Sequence, residues 1–156
     1  VILEGEDSLA HEWVLQRLNA YYADPDLWLT FGQYRDFPSY ELGVCRDFSE
    51  GKVRMEPFVA SHLKTFYAKL FKQIRESDFV CGGKFLAACA DLAYMIPMLE
   101  MAHDHFSFIP DILYIQNRER VQKEDREVQI RAEKFVRALD PYPPLTELQV
   151  TTNLPQ

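Results

Sequence analysis

The acidic residues carry the sharpest chemical signal in the chain. Glu4, Glu6 and Asp7 follow the apolar run Val1-Ile2-Leu3, and Asp91 stands alone in the otherwise apolar segment from Leu86 to Met95. Carboxylates at the carboxyl end of a β-prone run lie where open α/β sheets bind ligands. Such oxygen donors suit a hard divalent cation, and magnesium is usually held by one or two carboxylates together with substrate phosphates. Glu6 and Asp7 are therefore candidate ligands for a metal on a diphosphate. The same acids would also complement the dipole of a helix that starts behind them. A lone carboxylate such as Asp91 is costly to bury without a partner. As a functional group it would act as a general base toward an attacking hydroxyl; otherwise it caps a helix or lies on the surface.

The histidines and cysteines offer less. His62, beside Ser61 at the start of a helical pattern, could cap that helix or face a ligand from its N-terminus. His103-Asp104-His105 places two imidazoles at i, i+2, which diverge on a helix, so a polar turn accounts for them better than a metal site. His11 reads as an exposed helix residue. No nucleophile elbow and no glycine-rich phosphate loop is present. Cys45, Cys81 and Cys89 match no zinc or redox spacing and read as free or buried thiols of a reducing compartment.

The elements that must position these groups follow from composition and periodicity. A chain of 156 residues with 47% apolar content forms one ordinary domain with a real core. The net charge of −7 and the lack of a basic stripe argue against a nucleic-acid partner. No apolar run is long enough to span a bilayer and no signal peptide is evident, which gives a cytoplasmic expectation. Ser8 is expected to cap a helix over 9–22 with Leu15, Leu18 and Tyr22 on one face. The run 27–34 is rich in aromatic and branched residues and reads as a strand, and 35–58 as an irregular loop.

From Ser61 the spacing of Leu63, Phe66, Tyr67, Leu70, Phe71 and Ile74 predicts a helix. A second apolar helix is expected from Phe85 to Met101, kinked or restarted at Pro97. A strand follows over 108–115, with Pro110 favouring an edge or strand start. An amphipathic helix from Glu119 to Leu139 then leads to a tail over 146–156. The order is mixed α/β, with too few strands for a self-sufficient doubly wound sheet.

Several of these segments recur, in the same order, in one enzyme family. Glu4-Gly5-Glu6-Asp7 is similar to an Asp-x-Asp-Asp motif, and Trp28-Leu29-Thr30-Phe31-Gly32-Gln33 to a Trp-Leu-Thr-Tyr-Gly-Gln strand. Ser61-His62-Leu63-Lys64-Thr65-Phe66 is similar to a Ser-His-Leu-Arg-Thr-Phe segment. Asp91-Leu92-Ala93 through Pro97-Met98-Leu99-Glu100-Met101-Ala102 follows an Asp-x-Ala-x-x-x-Pro-Met-Leu-Glu-Met-Ala pattern. Colinear matches of this kind over residues 1–145 resemble the latter half of family 2-type glycosyltransferases with the GT-A fold. This chain has Glu where the motif has Asp at positions 4 and 6, and Ala90 where many relatives have another acid.

The resemblance implies a mixed-sheet GT-A-like segment with flanking amphipathic helices over 1–145, without the nucleotide-binding βαβ half that precedes the acidic motif in the family. That half would come from a longer parent protein or a partner chain. The implied reaction is transfer of a sugar from a nucleotide-sugar donor to the hydroxyl of a carbohydrate or other acceptor, with inversion. Glu4 and Glu6 would lie on the donor side, Glu6 and Asp7 would hold Mn2+ or Mg2+, and Asp91 would be the catalytic base. His62 and the loop from Arg35 to Phe58 would shape the acceptor pocket. The second reading is the same scaffold used as an interaction domain without catalysis.

Overall fold

The computed structural model describes residues 1–47, 53–119 and 125–148. Its main sheet is assembled from β1 (Ser8–Leu9), β2 (Leu29–Phe37), β3 (Thr65–Phe66) and β6 (Phe106–Asn117), in the order β1-β6-β2-β3. The long strands β2 and β6 run parallel at its centre, and the short β1 and β3 add antiparallel on either side. A separate hairpin joins β4 (Val80–Cys81) to β5 (Lys84–Phe85). The helices are α1 (Val14–Tyr21), α2 (Ala68–Phe71), α3 (Ala90–Ala102) and α4 (Arg126–Ala138). The fold is thus mixed α/β.

Leu29 and Phe31 are two residues apart and so share a face of β2. They pack with Trp28 and Leu70 against Met95, Met98, Leu99 and Met101 of α3. Tyr34, on the other parity, joins a second cluster with Val14, Leu18, Leu63, Leu113 and Tyr114. Helix α3 buries residues nearly all round, as a helix apolar on every side must. Pro97 lies inside it without ending it. Among the described residues no helix is long and apolar enough to cross a membrane.

Several elements differ from the sequence reading. Ser8 is no helix cap: it pairs with Ile115 in the sheet, and α1 begins at Val14 with no side-chain cap from Trp13. Its buried positions are Val14 and Leu18, spaced i, i+4, while Leu15 is exposed. Of the helix predicted from Ser61 only Ala68–Phe71 is helical, and the residues ahead of it pair with the sheet. Thr65 pairs with Thr30 and Phe66 with Leu29, and Ile2 bridges Lys64, so the sheet supplies the backbone partners that a helix would have supplied. Leu63 joins the Tyr34 cluster whereas Leu70 and Ile74 join the α3 cluster. The three- and four-residue spacing therefore reports burial against two cores rather than one helical stripe.

The predicted strand over 27–34 extends to Phe37, and Arg35 bridges Leu42 within the expected loop. Residues 48–52 of that loop lie outside the described residues. Phe85 belongs to β5, so the second apolar helix starts five residues later than expected, at Ala90. Pro110 lies within β6, not at its start. The register moves from Gly32–Ile109 to Gln33–Ile112, so Pro110 and Asp111 have no opposite residue on β2 and the bulge accommodates the missing N–H. Helix α4 is capped by the Asp125 side chain, which accepts from the Glu127 N–H at 2.9 Å; residues 120–124 lie outside the described residues. The start of the expected tail is packed, since Leu148 rests on the main core as Leu145 just ahead of it does. Residues 149–156 fall outside the described residues.

Candidate functional site

The acidic segment is a tight turn held at both ends. Ile2 bridges Lys64 beside β3, and Ser8 pairs with Ile115 of β6, so residues 3–7 carry the chain from one side of the sheet to the other. The Asp7 N–H donates to the Glu4 carbonyl at 3.1 Å and closes the turn. Asp7 is oriented by two donors. The Tyr114 hydroxyl donates to Oδ2 at 2.5 Å and the Asn117 N–H to Oδ1 at 2.8 Å. Burial, then the bond to Asp7, raises the Tyr114 hydroxyl well above its ordinary range, so it stays a donor. Glu6 stands exposed at the turn.

Lys64 lies beneath this turn. Its side chain is 1% exposed, and Nζ sits 3.9 Å from the Glu4 carboxylate and 5.5 Å from the centre of the Tyr94 ring. Burial lowers its pKa, while the carboxylates of Asp91, Glu4 and Asp7 pull it back up. Tyr94 is raised by burial and then by the same Asp91 and Glu4. The acidic turn and Asp91, distant in sequence, thus act on one ammonium and one phenol. Asp91 is partly buried in the first turn of α3, where the helix dipole favours a carboxylate, and its Oδ1 accepts from the Leu92 N–H at 2.9 Å.

His62 completes the neighbourhood. Its ring stacks on Tyr114 with centroids 4.5 Å apart and meets the Tyr34 ring edge-on at 5.1 Å. Burial, then the charges of Lys64 and Arg118, pushes its pKa down to about 3, so the imidazole is neutral at physiological pH. Nδ1 is buried without a hydrogen-bond partner among the described residues.

Glu4, Asp7 and Asp91 therefore share the surroundings of Lys64, and His62 joins them through Tyr114. Glu6 belongs to the turn by sequence and has no recorded contact with Lys64. An open apolar groove of about 280 Å³, lined by Phe71, Phe79, Phe85, Leu86 and Ala90, begins one residue before Asp91. Lys64, Tyr94 and Tyr114 were not singled out in the sequence. The one signal for them is the lone cation of Lys64 between Leu63 and the Thr65-Phe66 strand.

Other candidates have structural surroundings. His105 stacks on Trp28 at 3.9 Å, with Nδ1 2.8 Å from the Asp26 carbonyl. His11 Nδ1 accepts from the Trp13 N–H at 3.2 Å in a local turn. Among the described residues Cys45, Cys81 and Cys89 form no disulfide. Among the described residues no three His, Cys, Asp or Glu side chains gather into a ready-made metal cage. A cation here would instead be held by one or two carboxylates and by substrate oxygens, the arrangement magnesium favours. Glu6, exposed, and Asp7, whose two oxygens accept from Tyr114 and Asn117 and keep further lone pairs, are hard oxygen donors of that kind. No protein-family model, curated protein or solved structure matches this chain.

Proposed function

We propose that this chain forms the metal and acceptor side of a GT-A-fold, family 2-type glycosyltransferase that moves a sugar from a nucleotide sugar to an acceptor hydroxyl. The observation that carries this reading is the buried ammonium of Lys64, 3.9 Å from the Glu4 carboxylate and electrostatically favoured by both Asp91 and Glu4. A donor-side acid and a candidate base must face one space if an acceptor oxygen is to attack a donor carbon.

Asp91 takes the proton of the acceptor hydroxyl as its oxygen bonds to the anomeric carbon. The bond from that carbon to the diphosphate oxygen breaks on the opposite face, and its electron pair leaves with the phosphate. His62, buried, neutral and stacked on Tyr114, would help shape the acceptor pocket. Glu4 lies toward the ribose side of the donor. Glu6 and Asp7 would hold Mn2+ or Mg2+, which when bound offsets charge on the leaving diphosphate.

The test is a thermal-shift titration of the folded chain with Mn2+ and nucleoside diphosphates. Stabilisation that needs both and is lost in Glu6→Ala supports transfer chemistry. In an assay with the nucleotide-binding half supplied, Asp91→Asn lowers kcat by about 10²–10⁴-fold. A folded chain with no response to metal and nucleotide would instead favour an interaction domain on the same scaffold.

A further inference from the structure

Lys64 is a charged group for which the proposed chemistry gives no task. Its Nζ is buried and has no hydrogen-bond partner among the described residues. An ammonium carries three donors. The Glu4 carboxylate at 3.9 Å balances the charge and is too distant to accept a hydrogen bond. The Tyr94 ring face attracts the cation without accepting a conventional bond. Buried donors left unmade are costly, more so when charged. A second polar atom in the same neighbourhood, Nδ1 of His62, is also buried without a partner. The buried Arg54, by contrast, has its donors taken by Glu100 and the Val136 carbonyl.

The carboxylate nearest Lys64 is that of Glu4, whose side chain is 54% exposed and so able to turn toward solvent. Turned away, it would take one negative charge from the path of an incoming anion. A compact ammonium serves a phosphate as a point charge, and a charge-assisted bond to a phosphate oxygen is stronger than a neutral one.

We propose that Lys64 is an anion contact of this site, its ammonium taking an oxygen of a ligand diphosphate when the Glu4 carboxylate swings aside. The inference rests on the glycosyl-transfer reading for the identity of the anion only. Exchange of one carboxylate for one phosphate oxygen leaves the Lys64 charge balanced throughout, while Asp7 and Asp91 stay in place.

Inorganic pyrophosphate, the unit shared by nucleoside-diphosphate sugars, is titrated calorimetrically into the full chain with Mg2+ present. The expected result is saturable binding that is weakened about tenfold or more in Lys64→Met, kept in Lys64→Arg and tightened in Glu4→Gln. Equal affinity of wild type and Lys64→Met overturns the proposal, as does a folded wild type that does not bind pyrophosphate. Should Lys64→Met fail to fold, spectra of 15N-lysine-labelled wild type decide instead: the Lys64 ammonium resonance must move on adding pyrophosphate, and an unmoved resonance overturns the contact. Failure of the transfer reading looks different, with pyrophosphate binding through Lys64 while Glu6→Ala leaves the response to Mn2+ and nucleotide unchanged.

Discussion

Two buried polar regions of this molecule are built on opposite terms. Around Arg54, Nε and Nη2 donate to the two oxygens of Glu100 at 2.6 and 2.7 Å, and Nη1 donates to the Val136 carbonyl at 2.5 Å. Asp78, also buried, accepts from Tyr142 at 2.7 Å and from Arg75, and Ser77 reaches its other oxygen. These groups tie α3, α4 and the segment after α4 together with their bonds made. Around Lys64 and His62 the burial is as deep, yet Nζ and Nδ1 have no hydrogen-bond partner among the described residues. Full satisfaction marks a structural network, whereas the unmade donor of Lys64 is the group that the proposed anion contact would use.

The largest effect that would test this contrast is at Glu100. Replacing it with Ala strands the Arg54 guanidinium in the core, and the expected loss is about 3–5 kcal/mol in chemical denaturation. A loss below 1 kcal/mol, on the order of an exposed pair, would erase the distinction between the regions.

The next effect is in pH. His62 has a folded pKa of about 3 against an ordinary 6.5. Below 6.5 the unfolded chain takes a proton that the folded chain refuses, so stability falls as pH drops from 6.5 toward 3, by about 1.4 kcal/mol per unit. His62→Gln removes that part of the slope, seen by comparing denaturation curves of the two proteins at pH 7, 6, 5 and 4. Parallel pH profiles would show that His62 is not held neutral.

The smallest effect is at Lys64. Its folded pKa is lowered, so wild-type stability rises as pH climbs through that value toward the ordinary 10.5. Lys64→Met, which removes the unmade donors, leaves stability at pH 7 unchanged or raises it by about 1 kcal/mol. A drop of several degrees in Tm would place Lys64 with Arg54 among the structural groups.

Parts of the molecule were legible in the sequence because one force set them. The β2 run from Leu29 is aromatic and branched, and it lies in the sheet. The α3 segment is apolar on every side, and it lies in the core. Ser61–Ile74 was misread because a pattern of burial does not say which surface does the burying, and here two clusters share the residues. The candidate site divides in the same way. Glu4, Asp7, His62 and Asp91 stand out by residue type, whereas Tyr114 and Tyr94 look like ordinary core aromatics. Their hydroxyls gain meaning only when the sheet and α3 bring carboxylates to them. Lys64 sat inside a segment read as helix, where a lysine is expected to reach solvent.

The irregularity at Pro110 has a consequence for how copies of this chain meet. β1 pairs only with Tyr114 and Ile115, so the flank of β6 from Phe106 to Ile112 faces no further strand among the described residues. A straight row of free N–H and C=O groups is a template on which a foreign strand can grow. Pro110 withdraws a donor from that row, and the bulge over Pro110 and Asp111 breaks its spacing. The same distortion that lets the strand carry a proline also blunts its edge, so a flank that pairs with no further strand among the described residues is a poor seed for edge-to-edge aggregation.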